Sequence, residues 1–160
     1  MSAPSATAAA PELATPHAGR APRVLIAVDD TPAGRRTLSS GLRQAAAQGA
    51  EATVLHVAPP RRWRVGRFGP VRAVPVLLRN PHASPVLRDA RRIAFDHGLC
   101  PRLELVAADD VDAAILGTAR RIGAETIVVG ATRPDALTAP LGVCQGVLRR
   151  APVPVIVVPA

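Results

Sequence analysis

The sequence predicts an α/β fold, an open doubly wound parallel sheet of five strands with helices on both faces. Three observations predict it. From Arg23 onward, short apolar runs alternate with helix-patterned segments, the rhythm of consecutive βαβ units. Four of the five runs are nearly unbroken and rich in β-branched residues, as in strands buried on both faces. Apolar residues make up 48% of the chain but aromatic ones only 2%. The core must therefore be built from Val, Leu, Ile and Ala, a palette that suits parallel strands under helices. A length of 160 residues allows one domain with a proper core.

The elements follow in order. Residues 1–22 are rich in Ala, Pro, Ser and Thr, with prolines at Pro4, Pro11, Pro16 and Pro22. Neither an early positive charge nor a continuous apolar stretch marks a secretory leader there. The segment reads as a disordered tail before a domain spanning 23–160. Val24–Val28 is the first strand. Thr31-Pro32 supplies an N-cap and a proline at the first helical position, and Gly49 closes that helix. Leu38, Leu42 and Ala45 mark its inward face. Ala52–Val57 is the second strand.

Residues 58–83 then read as a long loop carrying Arg61, Arg62, Arg64, Arg67, Arg72 and Arg79, with Trp63 and Phe68; connections of that length are usually functional. Ser84-Pro85 starts the second helix and Gly98 stops it. The third strand, Leu103–Ala107, is interrupted by Glu104, which assigns it to a sheet edge. Asp109, Asp110 and Asp112 crowd the start of the third helix, where carboxylates favour the dipole; Val111, Ile115, Ala119 and Ile122 form its buried stripe, and Gly123 ends it. Thr126–Gly130 is the fourth strand. A fourth helix runs from about Ala139 to Arg149, with Leu141, Cys144 and Leu148 inward. Val153–Val158 is the fifth strand.

Right-handed crossovers wind these units into one sheet, and ligands bind such sheets at the carboxyl ends of the strands, where strand order reverses. Two strand ends are chemically unusual: Asp29-Asp30 after the first, and Gly130-Ala131-Thr132-Arg133 after the fourth.

Composition excludes several chemistries. The formal charge is +8, and all 20 basic residues are arginine. Without lysine there is no Schiff-base amine and no P-loop cation. Cys100 and Cys144 lie far apart and match no metal-ligand spacing, which fits a reduced, cytoplasmic setting. The aspartate cluster at 109–112 is explained by helix capping, so no metal is expected. His56, inside a strand, reads as a packed residue. Ser39-Ser40 lie mid-helix with no placed base, no Gly-x-Ser-x-Gly occurs, and no paired carboxylates stand out. The chain is expected not to be an enzyme, slow ATP turnover being the one activity left open. No apolar run reaches the roughly 20 residues of a membrane helix.

The opening Val24-Leu25-Ile26-Ala27-Val28-Asp29-Asp30 suits two families. A two-component receiver needs a lysine after its last strand, and this chain has none. The universal stress protein family is the closer match, and the resemblance covers residues 23–160. It rests on Asp29-Asp30-Thr31-Pro32 before an Arg- and Leu-bearing helix and on Val54-Leu55-His56-Val57. It rests also on Gly98-Leu99 before a strand and an acidic turn. Last comes Gly123-Ala124-Glu125-Thr126-Ile127-Val128-Val129-Gly130, with the terminal Ala151-Pro152-Val153-Pro154-Val155-Ile156-Val157-Val158.

The resemblance implies strand order 3-2-1-4-5, a regulatory role in stress response, and ATP or another adenine nucleotide at the switch point. Asp29 and the backbone near Val57 would face the base and ribose. Gly130, Arg133, Gly142 and Val143 would face the phosphates. Members that bind ATP carry G-x-x-G-x₉-G-[S/T] after the fourth strand. Here Gly130 and Gly142 remain, Arg133 replaces a glycine, Val143 replaces the hydroxyl, and the turn is one residue short. Arg133 either pairs with phosphate or faces solvent. Asp29 is either a ligand group or part of an acidic turn capped by Thr31. Family members often dimerise through the last strand, and the uncharged Val153–Val158 edge invites the same here. The alternative function is an interaction protein whose Arg-rich loop binds nucleic acid or an acidic partner; no helix-turn-helix accompanies it, and an Arg-biased composition favours a solvated loop.

Overall fold

A computed structural model describes residues 19–60, 76–131 and 142–159. Its strands are β1 (Arg23–Val28), β2 (Glu51–Ala58), β3 (Val76–Leu78), β4 (Arg102–Ala107), β5 (Thr126–Gly130) and β6 (Val155–Val158). Its helices are α1 (Pro32–Gln48), α2 (Pro85–Asp96), α3 (Val111–Ile122) and α4 (Val143–Arg150). The sheet order is β3-β4-β2-β1-β5-β6. Five strands are parallel in the expected 3-2-1-4-5 arrangement, and β3 adds an antiparallel sixth against β4.

The apolar residues of each strand alternate between two cores. Leu25, Leu55, Ile127 and Val129 pack with α3 and α4, whereas Val24, Ile26, Val54 and Val128 pack with α1 and α2. Helix starts follow their caps. Thr31 accepts from Gly34 N–H, Ser84 from Leu87 N–H, and Asp110 from Ala113 N–H. Gly49 and Gly123 close α1 and α3 in the left-handed region, at φ 59° and 64°, where a side chain would be strained. Leu38, Leu42 and Ala45 are buried as expected, and so are Ile115, Ala119 and Ile122.

Four expectations are corrected. The sheet has six strands, because part of the 58–83 segment is structured: β2 extends through Ala58, β3 spans Val76–Leu78, and a 3-10 turn spans Pro81–Ala83. Residues 61–75, with most of the arginines of that segment, lie outside the described residues, as does 1–18 of the tail. The strand bearing Glu104 is not an edge, since β3 covers it. Glu104 is only 3% exposed and receives both terminal nitrogens of the Arg121 guanidinium, with Arg102 Nε at 3.4 Å. The charge that suggested solvent is instead neutralised in place. On α4 the buried residues are Cys144, Gly146 and Val147, whereas Leu148 is 47% exposed; the helix is described from Val143, and Leu141 lies outside. Finally, β6 begins at Val155, after Pro152 and Pro154, whose rings remove ladder donors.

Burial separates the two cysteines. Cys144 sits in the α3–α4 core, and desolvation pushes its thiol pKa up, whereas Cys100 is exposed. A raised pKa leaves less thiolate at neutral pH, and the thiolate is the reactive form. Cys100 should therefore be alkylated rapidly at pH 7.5, and Cys144 at least about a hundredfold more slowly, only through opening of the core. Peptide mass analysis over time reads both rates, and equal rates would contradict the packing.

Candidate functional site

The registers Ile26↔Val128 and Val28↔His56 bring the ends of β1, β5 and β2 to one level. α1 and α4, the helices that follow β1 and β5, pack on opposite faces of the sheet, the arrangement in which a crevice is expected at the strand ends.

Asp29 is held by its own turn. The Thr31 backbone N–H and hydroxyl both donate to Asp29 Oδ1, at 3.1 and 2.5 Å, and the same hydroxyl accepts from Gly34 N–H at 3.0 Å. Among the described residues the second oxygen, Oδ2, has no donor. The acidic turn capped by Thr31 is therefore present, and it leaves one carboxylate oxygen of Asp29 unused among the described residues. Gly34 completes this arrangement, because a Cβ there would overlap Asp29 Oδ1 and its carbonyl oxygen. Neighbouring β2 contributes His56, whose Nδ1 lies 3.0 Å from the Val28 carbonyl. Val57 is half-buried on the α3–α4 side.

Gly130 has a structural reason that the sequence did not show. A Cβ on it would lie 2.7 Å from Thr37 Oγ1, a group on the buried face of α1. Thr37 donates to the Ala33 carbonyl at 3.0 Å, so the hydroxyl is satisfied inside the helix while Gly130 packs over it. Gly34 and Thr37 were missed as site-shaping residues. Their only signal was a small residue one turn into a helix that follows an acidic strand end.

Opposite, Gly142 is the N-cap of α4 and offers no side chain to the first-turn amides. Val143 follows, 36% exposed. Residues 132–141 lie outside the described residues, Arg133 among them. On the α1–α2 side, a cavity of about 290 Å³ is floored by Val28, Leu38 and Ala90 and rimmed by Asp29, Asp30, Arg35 and Asp89. Arg35 and Asp89 bridge it at 3.3 Å. Its size is near the lower bound for small-molecule sites, enough for one ring system. No group of three His, Cys, Asp or Glu side chains arranged for a metal occurs among the described residues. No helix among them is long and apolar enough to cross a membrane.

Comparison with known proteins identifies the family and the fold. The model of the universal stress protein family matches residues 21–159. No curated protein matches the chain. Among solved structures, a universal stress protein in complex with cAMP is similar at 21% identity and TM-score 0.66, covering 86% of this chain and 96% of that one. A universal stress protein from Archaeoglobus fulgidus in complex with dAMP is similar at 22% identity and TM-score 0.61, over 86% and 97%. The protein UspA from Lactobacillus plantarum is similar at 20% identity and TM-score 0.60, over 87% and 98%.

Proposed function

The chain belongs to the universal stress protein family, and from that premise we propose that it is a cytoplasmic, non-catalytic regulatory module that binds an adenine nucleotide across the carboxyl ends of β1 and β5. The observation that carries this reading is the Asp29 carboxylate. One oxygen is fixed by Thr31 and the other is left for a ligand donor, a ribose hydroxyl or an exocyclic amine. Two similar proteins were solved with cAMP and with dAMP, which supports an adenine nucleotide as the class. The uncapped start of α4 would take a phosphate, and the hydroxyl missing at Val143 makes that grip weaker than in a Gly-Ser turn.

The first experiment is mass analysis of the denatured protein for co-purified nucleotide, followed by titration with adenosine, AMP, cAMP and ATP. Asp29→Ala should weaken all four about ten- to a hundredfold, as expected for losing a charged hydrogen-bond partner. Arg133→Ala should weaken ATP by a similar factor and leave adenosine unchanged. Gly34→Ala should act like Asp29→Ala, because the new methyl displaces the carboxylate rather than removing it. Absence of binding to all four at millimolar concentration would refute the reading.

The same reading makes the protein a homodimer joined through β6. That strand is the free end of the sheet order and carries no charge between Val155 and Val158.

A further inference from the structure

A larger cavity lies at the other end of the sheet, where the amino ends of β1, β2 and β4 meet. It measures about 530 Å³, and Arg23, Arg102 and Arg121 line it together with Glu51, over the apolar Ala52 and Ile122. The carboxyl ends of α1, α2 and α3 also point toward this end, and unsatisfied carbonyls there would repel an anion. Several of them are satisfied internally. Ala50 N–H donates to the Ala45 carbonyl, Leu99 N–H to Ala94 and Ala124 N–H to Ala119, at 2.8–2.9 Å, and Arg23 Nη1 donates to the Ile122 carbonyl. Among the lining side chains, three guanidinium groups outnumber the one carboxylate, Glu51.

Those groups are not equally engaged. Arg121 spends both terminal nitrogens on Glu104. Arg23 spends Nε on the exposed Glu51 and Nη1 on α3. Arg102 approaches Glu104 through Nε alone, at 3.4 Å. Its Nη1 and Nη2 have no acceptor among the described residues, and its side chain is 73% exposed. Glu104, nearly buried, thus acts as a post: it orients Arg102 and Arg121 by their contacts with one carboxylate, leaving the outer fork of Arg102 free. A planar pair of N–H donors in a fixed orientation is suited to oxyanion recognition.

We propose that this cavity is a second binding site, separate from the crevice at Asp29, and that it takes a small phosphate-bearing molecule with Arg102 as its principal contact. Arg23 and Arg121 supply the surrounding positive field, and the apolar floor accepts the rest of the molecule.

The test uses the full-length protein and inorganic phosphate as the probe, at constant ionic strength maintained with chloride. Two-dimensional NMR should show saturable shifts of the Arg102 side-chain Nε–H and of the backbone amides of residues 50–53, Cys100 and Arg102. Arg102→Gln should weaken the phosphate response at least about tenfold, and Arg102→Lys should restore part of it, since charge returns without the fork. Arg102 is exposed, so neither variant threatens the fold. Shifts that grow linearly without saturating, that spread over arginines throughout the surface, or that survive Arg102→Gln unchanged would overturn the proposal. An equal response to acetate would also overturn it. Loss of nucleotide binding at Asp29 would leave the result unaffected, because the two sites lie at opposite ends of the sheet.

Discussion

In the proposed β6 dimer, the double substitution Ile156→Lys, Val157→Glu is expected to raise the dissociation constant at least about a hundredfold, equivalent to roughly 2.7 kcal/mol. The reasoning begins with the edge. Among the described residues β6 pairs with β5 on one side only, and its four residues carry no charge, no proline and no bulge, the devices by which natural edges avoid pairing. Val157 is 37% exposed, and Leu148 on the adjacent α4 is 47% exposed, so an apolar strip accompanies the free backbone donors. Joining two copies about a two-fold axis would satisfy both. Neighbouring positions on a strand face opposite sides of the sheet, so the double substitution places one charge on each side. In a symmetric pair each charge approaches its own copy, which is repulsive. Sedimentation velocity at micromolar concentration reads the outcome. A wild type that remains monomeric at high micromolar concentration would rule out this interface.

Arg121→Ala is expected to destabilise the fold by about 3 kcal/mol, the lower part of the range for leaving one partner of a buried ion pair uncompensated. Glu104 keeps Arg102 at 3.4 Å as a residual partner, which sets the lower part of the range. The asymmetry of the pair is the sharper test. Glu104 is buried, but Arg121 and Arg102 have 45% and 73% of their side chains exposed and can return to water. Glu104→Leu, which removes the buried charge itself, should therefore cost less than about 1 kcal/mol, and Glu104→Leu should rescue most of the loss caused by Arg121→Ala. Urea denaturation measures all three. If Glu104→Leu costs as much as Arg121→Ala, the carboxylate contributes by itself and this account of the pair is wrong.

The site was partly legible. Asp29 and Gly130 stood out as unusual ends of buried strands and Gly142 through the family motif, and the structure brings Asp29 and Gly130 to the same end of adjacent strands. Gly34 and Thr37 were not legible, since their importance is a matter of distance. Thr37 and Gly130 are far apart in the chain, and only packing α1 on the sheet brings Gly34 against Asp29 and Thr37 against Gly130. The amino-end cavity was equally hidden: Arg23, Arg102 and Arg121 are far apart in the chain and come together only because β1 and β4 flank β2.

The order of the sheet was implied by the family resemblance; the sequence by itself determined the five parallel strands and the starts of α1, α2 and α3. These rest on local signals, namely apolar runs, Thr31, Ser84 and Asp110 as caps, and glycines that stop helices, which act over a few residues regardless of the rest of the fold. Tertiary structure decided what a charge or an apolar side chain means once neighbours arrive. Glu104 read as an edge residue and Leu148 as a core residue, because polarity alone reports a preference for water. β3 covered the strand, and Arg121 supplied the counter-charge that makes burial of Glu104 tolerable. Leu148 remained exposed because Cys144 and Val147 already fill the face that α4 turns to the core. The physical reason is common to both: burial is settled by the partners available in three dimensions, and those partners come from segments that no local window joins.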